Sequence, residues 1–435
     1  MASNPFTYGN PISEPGRFFG REREVDQVFS RLRNDEFESS SIVGDRRIGK
    51  TSLLNYISHP EVRGKFGLGG PEYAFVYADL QMVDSATTPT RLWQRLLRHL
   101  ERHCQDAAVK ECVHKTAAAE PLDTFTLDEL FEDLDDRGQH VVFLLDEFEQ
   151  VTTNSNFGPE FFYALRSLAI HHKLALITSS RRELIELCHS DKIRSSPFFN
   201  IFANINVTLL LPAEAQRLLA EPLRRTDFSF SPAEAQFLLD IAGPHPYFLQ
   251  AACYFMFEGH VQRLGPEERM ESVRAAFRAE AAPHLSDYWH NSDDYEKTAL
   301  TAIALLEREG KGAGRSFRVH DLLELCTRSE QTITHLEKRG LVITTGGRSA
   351  LFNSSLGGWI VTELRAALKE EQSYEDWLAG NRGIMERLSG GMHNELREVL
   401  PKIGAKYRDM VVTWASDPAH LLAVARLLKT TLTGV

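Results

Sequence analysis

Five short runs constrain the fold of this chain more than any other feature. They are "SSSIVG" (39–44), "YAFVYADL" (73–80), "HVVFLLDEF" (140–148), "KLALITSS" (173–180) and "INVTLLL" (205–211). Each sets Val, Ile, Leu or Phe on consecutive positions. A strand with one wet face alternates apolar with polar; a strand covered on both faces does not need to. Helical patterns such as "TRLWQRLLRHLERH" (90–103) and "PEFFYALRSLAIHH" (159–172) separate the runs. Residues 1–211 are therefore expected to form an α/β domain, a parallel sheet with helices on both faces.

The first run leads into Gly44-Asp45-Arg46-Arg47-Ile48-Gly49-Lys50-Thr51-Ser52, which is Gly-x4-Gly-Lys-Thr at the head of a helical pattern. Strand, Gly-rich turn and helix in that order make a phosphate-binding loop. The glycines let backbone N–H groups turn onto phosphate oxygens, and the helix start adds its positive end. Lys50 is expected on the β and γ phosphates of a nucleotide, and Thr51 on Mg²⁺.

Asp146 ends the run "VVFLLD", where a buried carboxylate needs a cation or a donor. It is the expected second Mg²⁺ contact, and Glu147 beside it could polarise the attacking water. The run at 173–180 ends in Thr178-Ser179-Ser180-Arg181. If that strand lies between the loop strand and the acidic strand, Ser180 or Arg181 could sense a γ-phosphate. The alternative is that Arg181 and Arg182 cap a surface turn.

After Leu211 the strand signals stop. "PAEAQRLLAEPLRR" and "SPAEAQFLLDIAG" both carry Pro-Ala-Glu-Ala, a helix start signal. A helical domain is expected over 212–284. Three helical stretches follow, "DDYEKTALTAIALLERE", "RVHDLLELCT" and "SEQTITHLEKRG". Then come two β-runs joined at Gly346-Gly347, so 285–369 reads as a winged helix. Residues 370–435 read as a small helical domain after a polar linker.

Composition narrows the function classes. The formal net charge is -11, which argues against a chain-wide nucleic-acid coat. The five cysteines are scattered without a C-x-x-C pair, so neither zinc nor a disulfide framework is expected. The N-terminus lacks the basic and apolar regions of a secretion signal, and no run is long enough to span a bilayer. The expectation is a cytoplasmic protein without a membrane partner.

Loop, acidic strand end, polar-ended strand, helical lid and winged helix, in that order, resemble the STAND class of signalling ATPases. They also resemble the archaeal and bacterial AAA-like ATPases and the Orc/Cdc6 relatives. "FFGREREVDQVFSRL" (18–32) resembles the Gly-Arg-Glu motif that these families run past the nucleotide base, which implies base contacts from Gly20 and Arg21. "IAGPHPYFLQ" (241–250) resembles their Gly-His-Pro lid motif, which implies Pro246 near the adenine, although Pro244 stands where a Gly is usual.

The resemblance implies ATP and ADP as ligands, with Mg²⁺, and a switch. ADP would hold lid and winged helix closed, ATP would release them and allow homo-oligomerisation, and hydrolysis would reset the state. Some members of these families act in bacterial defence. The winged helix would be a structural arm or, alternatively, a DNA reader with Arg348 on phosphate. The tail 373–435 would be a cap or an adaptor for an unidentified protein effector or sensor. The competing reading is a DNA-binding, initiator-like or transposition-like ATPase.

Overall fold

The computed structural model describes residues 3–194, 197–313 and 329–367. They fall into two compact units. One is Gly9–Leu218; the other joins Met1–Tyr8 to the chain from Leu219 onward.

The first unit is built on five strands, β1 (Ser40–Val43), β2 (Tyr73–Asp79), β3 (His140–Asp146), β4 (Leu174–Ser180) and β5 (Ala203–Asn206). All pairs are parallel and the order is β2-β3-β4-β1-β5. The consecutive apolar residues have the expected cause. Along β3, Val141, Phe143 and Leu145 enter one core, with Leu92, Trp93, Leu96 and Leu97 of the helix Pro89–His103. Val142 and Leu144 enter the other, with Val28 and Phe29 of the helix Glu22–Leu32 and Leu53 and Leu54 of the helix Lys50–Ser58. Each fully buried Leu or Phe contributes about 1.5–3 kcal/mol, so neither layer can be stripped without unfolding the sheet.

Two further helices lie between β2 and β3, and their buried residues recur at helical spacing, Val109, Val113 and Ala117 on one and Leu127, Leu130, Phe131 and Leu134 on the other. They are Ala107–Ala117 and Thr124–Asp136, each started by an aspartate side chain, Asp106 and Asp123, that accepts from the first turn. The expected strand over 205–211 is instead Ala203–Asn206. The reason lies in its partner. Asn206 pairs with Val43, the last residue of β1, and beyond it Gly44 turns into the loop, leaving β5 nothing to pair with.

In the second unit helices begin at Pro232 and Pro246, followed by Pro266–His290 and Asp294–Ala313. Ser231 and Glu234 form a reciprocal capping box on the first of them. The first residues of the chain lie on these helices. Asn4 Nδ2 donates to Glu258 at 2.8 Å and to the Tyr254 carbonyl at 3.1 Å, and Phe6 stacks on Phe230. Gly243 has φ 64, and a Cβ there would sit 2.0 Å from the Phe352 carbonyl oxygen, so this glycine is required by close packing.

The helix Ser329–Lys338 precedes an antiparallel hairpin, β6 (Val342–Thr345) and β7 (Arg348–Leu351), turned at Gly346-Gly347 as expected; the helix Ser354–Ala367 follows. Arg339 Nη1 donates to Glu296 at 2.7 Å and to Ser292 Oγ at 2.9 Å, and His335 Nδ1 lies 3.0 Å from the same Glu296. Burial alone would raise the Glu296 carboxyl, but His335 and Arg339 outweigh it and hold it down at about 2. The expected helical stretch over 318–327 and the tail 373–435 lie outside the described residues.

Candidate functional site

The site grows from the end of β1. Gly44 is obligatory there, because a Cβ would lie 2.4 Å from the Val207 carbonyl oxygen. Arg47 (φ 62) and Gly49 (φ 103) take left-handed conformations that wrap the loop, and the helix starts at Lys50. Lys50 is buried, and its Nζ donates to the loop's own carbonyls, Gly44 at 2.9 Å and Asp45 at 3.2 Å. Among the described residues no carboxylate pairs with it. An ammonium buried on carbonyls alone leaves room for an anion to complete its shell.

Asp146 at the end of β3 is the hub. It is 2% exposed. Oδ2 accepts from Thr51 Oγ1 at 2.7 Å and from Tyr77 Oη at 3.0 Å. Oδ1 accepts from Ser179 Oγ and from the Glu147 N–H at 3.2 Å. The structure thus brings together Thr51 and Asp146, the two residues expected at Mg²⁺, and adds Tyr77 and Ser179, which sequence reasoning did not single out.

Strand periodicity explains both additions. β4 does lie between β1 and β3. Ile177 faces the core under the helix Lys50–Ser58, so Ser179, two residues on, faces the same side. Ser180 points the other way, and its hydroxyl donates to the Arg182 carbonyl at 2.6 Å. Tyr77 pairs in register with Leu144, two residues before Asp146, and shares its face. Burial and the Asp146 charge raise the Tyr77 phenol, which keeps it a proton donor.

Glu147 has φ 54, a left-handed conformation that is costly for a side-chain-bearing residue. Its N–H is held by Asp146 and by Ser179 Oγ at 3.2 Å. Two residues on, Glu149 is buried with neither carboxylate oxygen hydrogen-bonded. Arg181 Nε lies 3.8 Å from Glu149 Oε1, so the arginine at the end of β4 is engaged by this carboxylate. Burial and the neighbouring Glu147 push the Glu149 carboxyl up to about 7, against the pull of Lys50.

The Gly-Arg-Glu stretch braces the loop. Gly20 has φ 81, and the Arg21 N–H donates to Glu214 at 2.8 Å. The Arg21 guanidinium donates to the carbonyls of Ile48, Thr208 and Leu209 and pairs with Glu24. It therefore ties the loop to the segment leaving β5. Ser52 Oγ accepts from the Ile12 N–H at 3.0 Å. Arg46 is exposed at the turn, and its N–H donates to Asp45 Oδ1 at 3.0 Å. Pro246 opens a helix of the other unit, beside the buried His245, whose Nε2 lies 2.9 Å from Tyr288 Oη.

Among the described residues no cluster of three or more His, Cys, Asp or Glu is placed to hold a metal. The donor set that exists, one hydroxyl and one carboxylate beside a phosphate loop, suits Mg²⁺, which is commonly held by one or two carboxylates together with substrate phosphates. Thr51 and Asp146 could hold such an ion, and residues 44–52 could hold the phosphates.

Parallel sheet, loop and acidic hub define a P-loop nucleoside triphosphatase. The chain belongs to the family described as Novel STAND NTPase 2, whose model matches residues 31–307, more than half of its length. Among solved structures it is similar to the Walker-type ATPase paby2304 of Pyrococcus abyssi, with 16% identity and a TM-score of 0.52 over 81% of this chain and 98% of that one. It is also similar to the ORC2 protein of Aeropyrum pernix in its ADPNP–ADP complexes, with 15% identity and a TM-score of 0.49 over 79% and 93%. The Cdc6p protein of Pyrobaculum aerophilum follows with 14% identity and a TM-score of 0.41 over 83% and 97%. No curated protein matches the sequence. Among the described residues no helix is long and apolar enough to cross a membrane.

Proposed function

We propose that the chain binds ATP and ADP with Mg²⁺ through residues 44–52, hydrolyses ATP slowly, and uses the exchange as a switch. The supporting observation is the convergence of Thr51, Tyr77 and Ser179 on Asp146, beside a Lys50 whose ammonium donates to the loop carbonyls of Gly44 and Asp45. In this reading Lys50 holds the β and γ phosphates, and Thr51 and Asp146 hold Mg²⁺. Glu147 orients the attacking water. Arg181 exchanges its Glu149 contact for the γ-phosphate, so the site differs between ATP and ADP.

Differential contact with one phosphate is all a two-state switch requires. Residues 212–284 serve as lid and 285–369 as a winged-helix arm, and ATP favours self-association. The tail 373–435 meets a protein partner, and the output lies in bacterial defence or stress signalling. Light scattering measures the outcome directly. Particle mass is expected to rise when ADP is replaced by a non-hydrolysable ATP analogue. Equal mass in both would end the switch reading while leaving the ATPase reading intact. A chain lacking 373–435 is expected to bind ATP unchanged.

A further inference from the structure

The acidic character of the chain hides one basic surface. The helix Pro89–His103 buries Leu92, Trp93, Leu96, Leu97 and Leu100. Its opposite face carries Arg91, Arg95, Arg98 and Arg102, spaced four, three and four apart. At 100° per residue these four fall on one narrow stripe, about 16 Å long at 1.5 Å per residue. A single acid, Glu101, lies in this helix. Its carboxylate lies 3.3 Å from His114 Nδ1 of the adjoining helix.

The two helices enclose a groove of about 550 Å³ lined by Arg98, Glu101, Arg102, Lys110 and His114. The side chains of Arg98, Arg102 and Lys110 are exposed and make no hydrogen bond or ion pair with any described residue. An amphipathic helix needs a polar outer face, but it does not need a face of one sign. Acids outnumber bases by 60 to 49 over the chain, so a random polar face would lean negative.

We infer that this face binds the phosphate backbone of a nucleic-acid duplex, independently of base sequence. The inference does not rest on the nucleotide site. A linear stripe fits an extended polyanion better than a compact one. A strand of duplex presents one phosphate per about 3.4 Å of axis, so the stripe spans about five. A duplex fits better than a single strand, because neither of the two groove helices carries an exposed Phe, Tyr or Trp on which bases could stack; Trp93 is buried.

The test is fluorescence anisotropy of the full chain with a labelled 20-base-pair duplex of arbitrary sequence, across a salt series. Binding at about 50 mM salt is expected to weaken steeply as salt rises, because cations on the protein replace condensed counterions. The double substitution Arg98→Glu, Arg102→Glu is expected to cost at least about tenfold in affinity and to flatten the salt slope by about two. Nucleotide binding and melting temperature should stay as in wild type, since both side chains are solvent-facing. Any of the following would overturn the inference: no duplex binding at low salt; unchanged binding in the double variant; tighter binding of a single strand; or equal competition by inorganic tripolyphosphate at matched phosphate, which would mark a compact-anion site. Loss of binding on Arg348→Ala alone would move the interface to the hairpin and equally reject this one.

Discussion

Tyr77 Oη donates to Asp146 Oδ2 over 3.0 Å, from one strand to the end of the next. The carboxylate also takes Thr51 on that oxygen, so the tyrosine fixes the direction in which the acid faces a cation. Tyr77→Phe is expected to leave ADP affinity unchanged and to raise the Mg²⁺ needed for half-maximal hydrolysis by about fivefold, the equivalent of about 1 kcal/mol. A Mg²⁺ titration of the ATPase rate checks it, and an unchanged midpoint would show that Thr51 and Ser179 suffice.

Lys50→Ala is expected to abolish nucleotide binding or nearly so. The loop's own carbonyls, Gly44 and Asp45, hold the Lys50 ammonium at 2.9 and 3.2 Å. Calorimetry with ADP reads the result directly, and wild-type affinity in the variant would remove the phosphate assignment.

Glu147→Gln is expected to keep ATP binding and slow hydrolysis by about 10² to 10⁴, the usual cost of losing a group that positions or deprotonates water. Asp146→Ala should instead lose the dependence on Mg²⁺. The two acids are adjacent, yet only Asp146 is tied into the hub by side-chain hydroxyls. Single-turnover rates with and without Mg²⁺ separate them; equal behaviour of the two variants would contradict the division of labour.

Glu149 makes stability depend on pH in a defined direction. Its carboxyl sits at about 7 in the folded protein against an ordinary 4.5. Between those values the folded state holds more protons than the unfolded one, so stability falls as pH rises from about 4.5 through about 7. Glu149→Gln is expected to be more stable than wild type at pH 8, by at most a few kcal/mol, and nearly equal to it at pH 4.5. Urea unfolding at the two pH values tests this; a variant less stable at pH 8 would mean that the Arg181 contact outweighs the burial.

Glu296 has the opposite sign. Held at about 2 against an ordinary 4.5, it contributes stability that is present above about 4.5 and lost as pH falls toward about 2. Glu296→Gln is expected to lower stability at pH 7 and to flatten acid unfolding of the second unit in that window. Circular dichroism between pH 6 and 2 follows it, and superimposable acid transitions would assign the acid sensitivity elsewhere.

Much of this molecule was legible in one dimension because the signals are local. Consecutive apolar residues announced strands buried on both faces, and β3 and β4 are buried along almost their whole length. Gly-x4-Gly-Lys-Thr located the loop and its helix, and the paired glycines at 346–347 located the hairpin turn. What remained hidden depends on which strand lies beside which and on the face each side chain takes. Tyr77 in "YAFVYADL" looks like one more β-former until β2 is registered against β3. Ser179 and Ser180 are chemically alike, and only the alternation of β4 sends one to Asp146 and the other to the Arg182 carbonyl. Arg21 could be placed beside a nucleotide from its motif, but its grip on Ile48 and Thr208 joins segments 27 and 187 residues away. The sequence by itself determined the local elements, because helix and strand periods, caps and loop glycines act within a few residues. Tertiary structure alone decided the hub around Asp146 and the pairing of Glu149 with Arg181, because those contacts exist only once parallel strands from distant parts of the chain are set side by side in register.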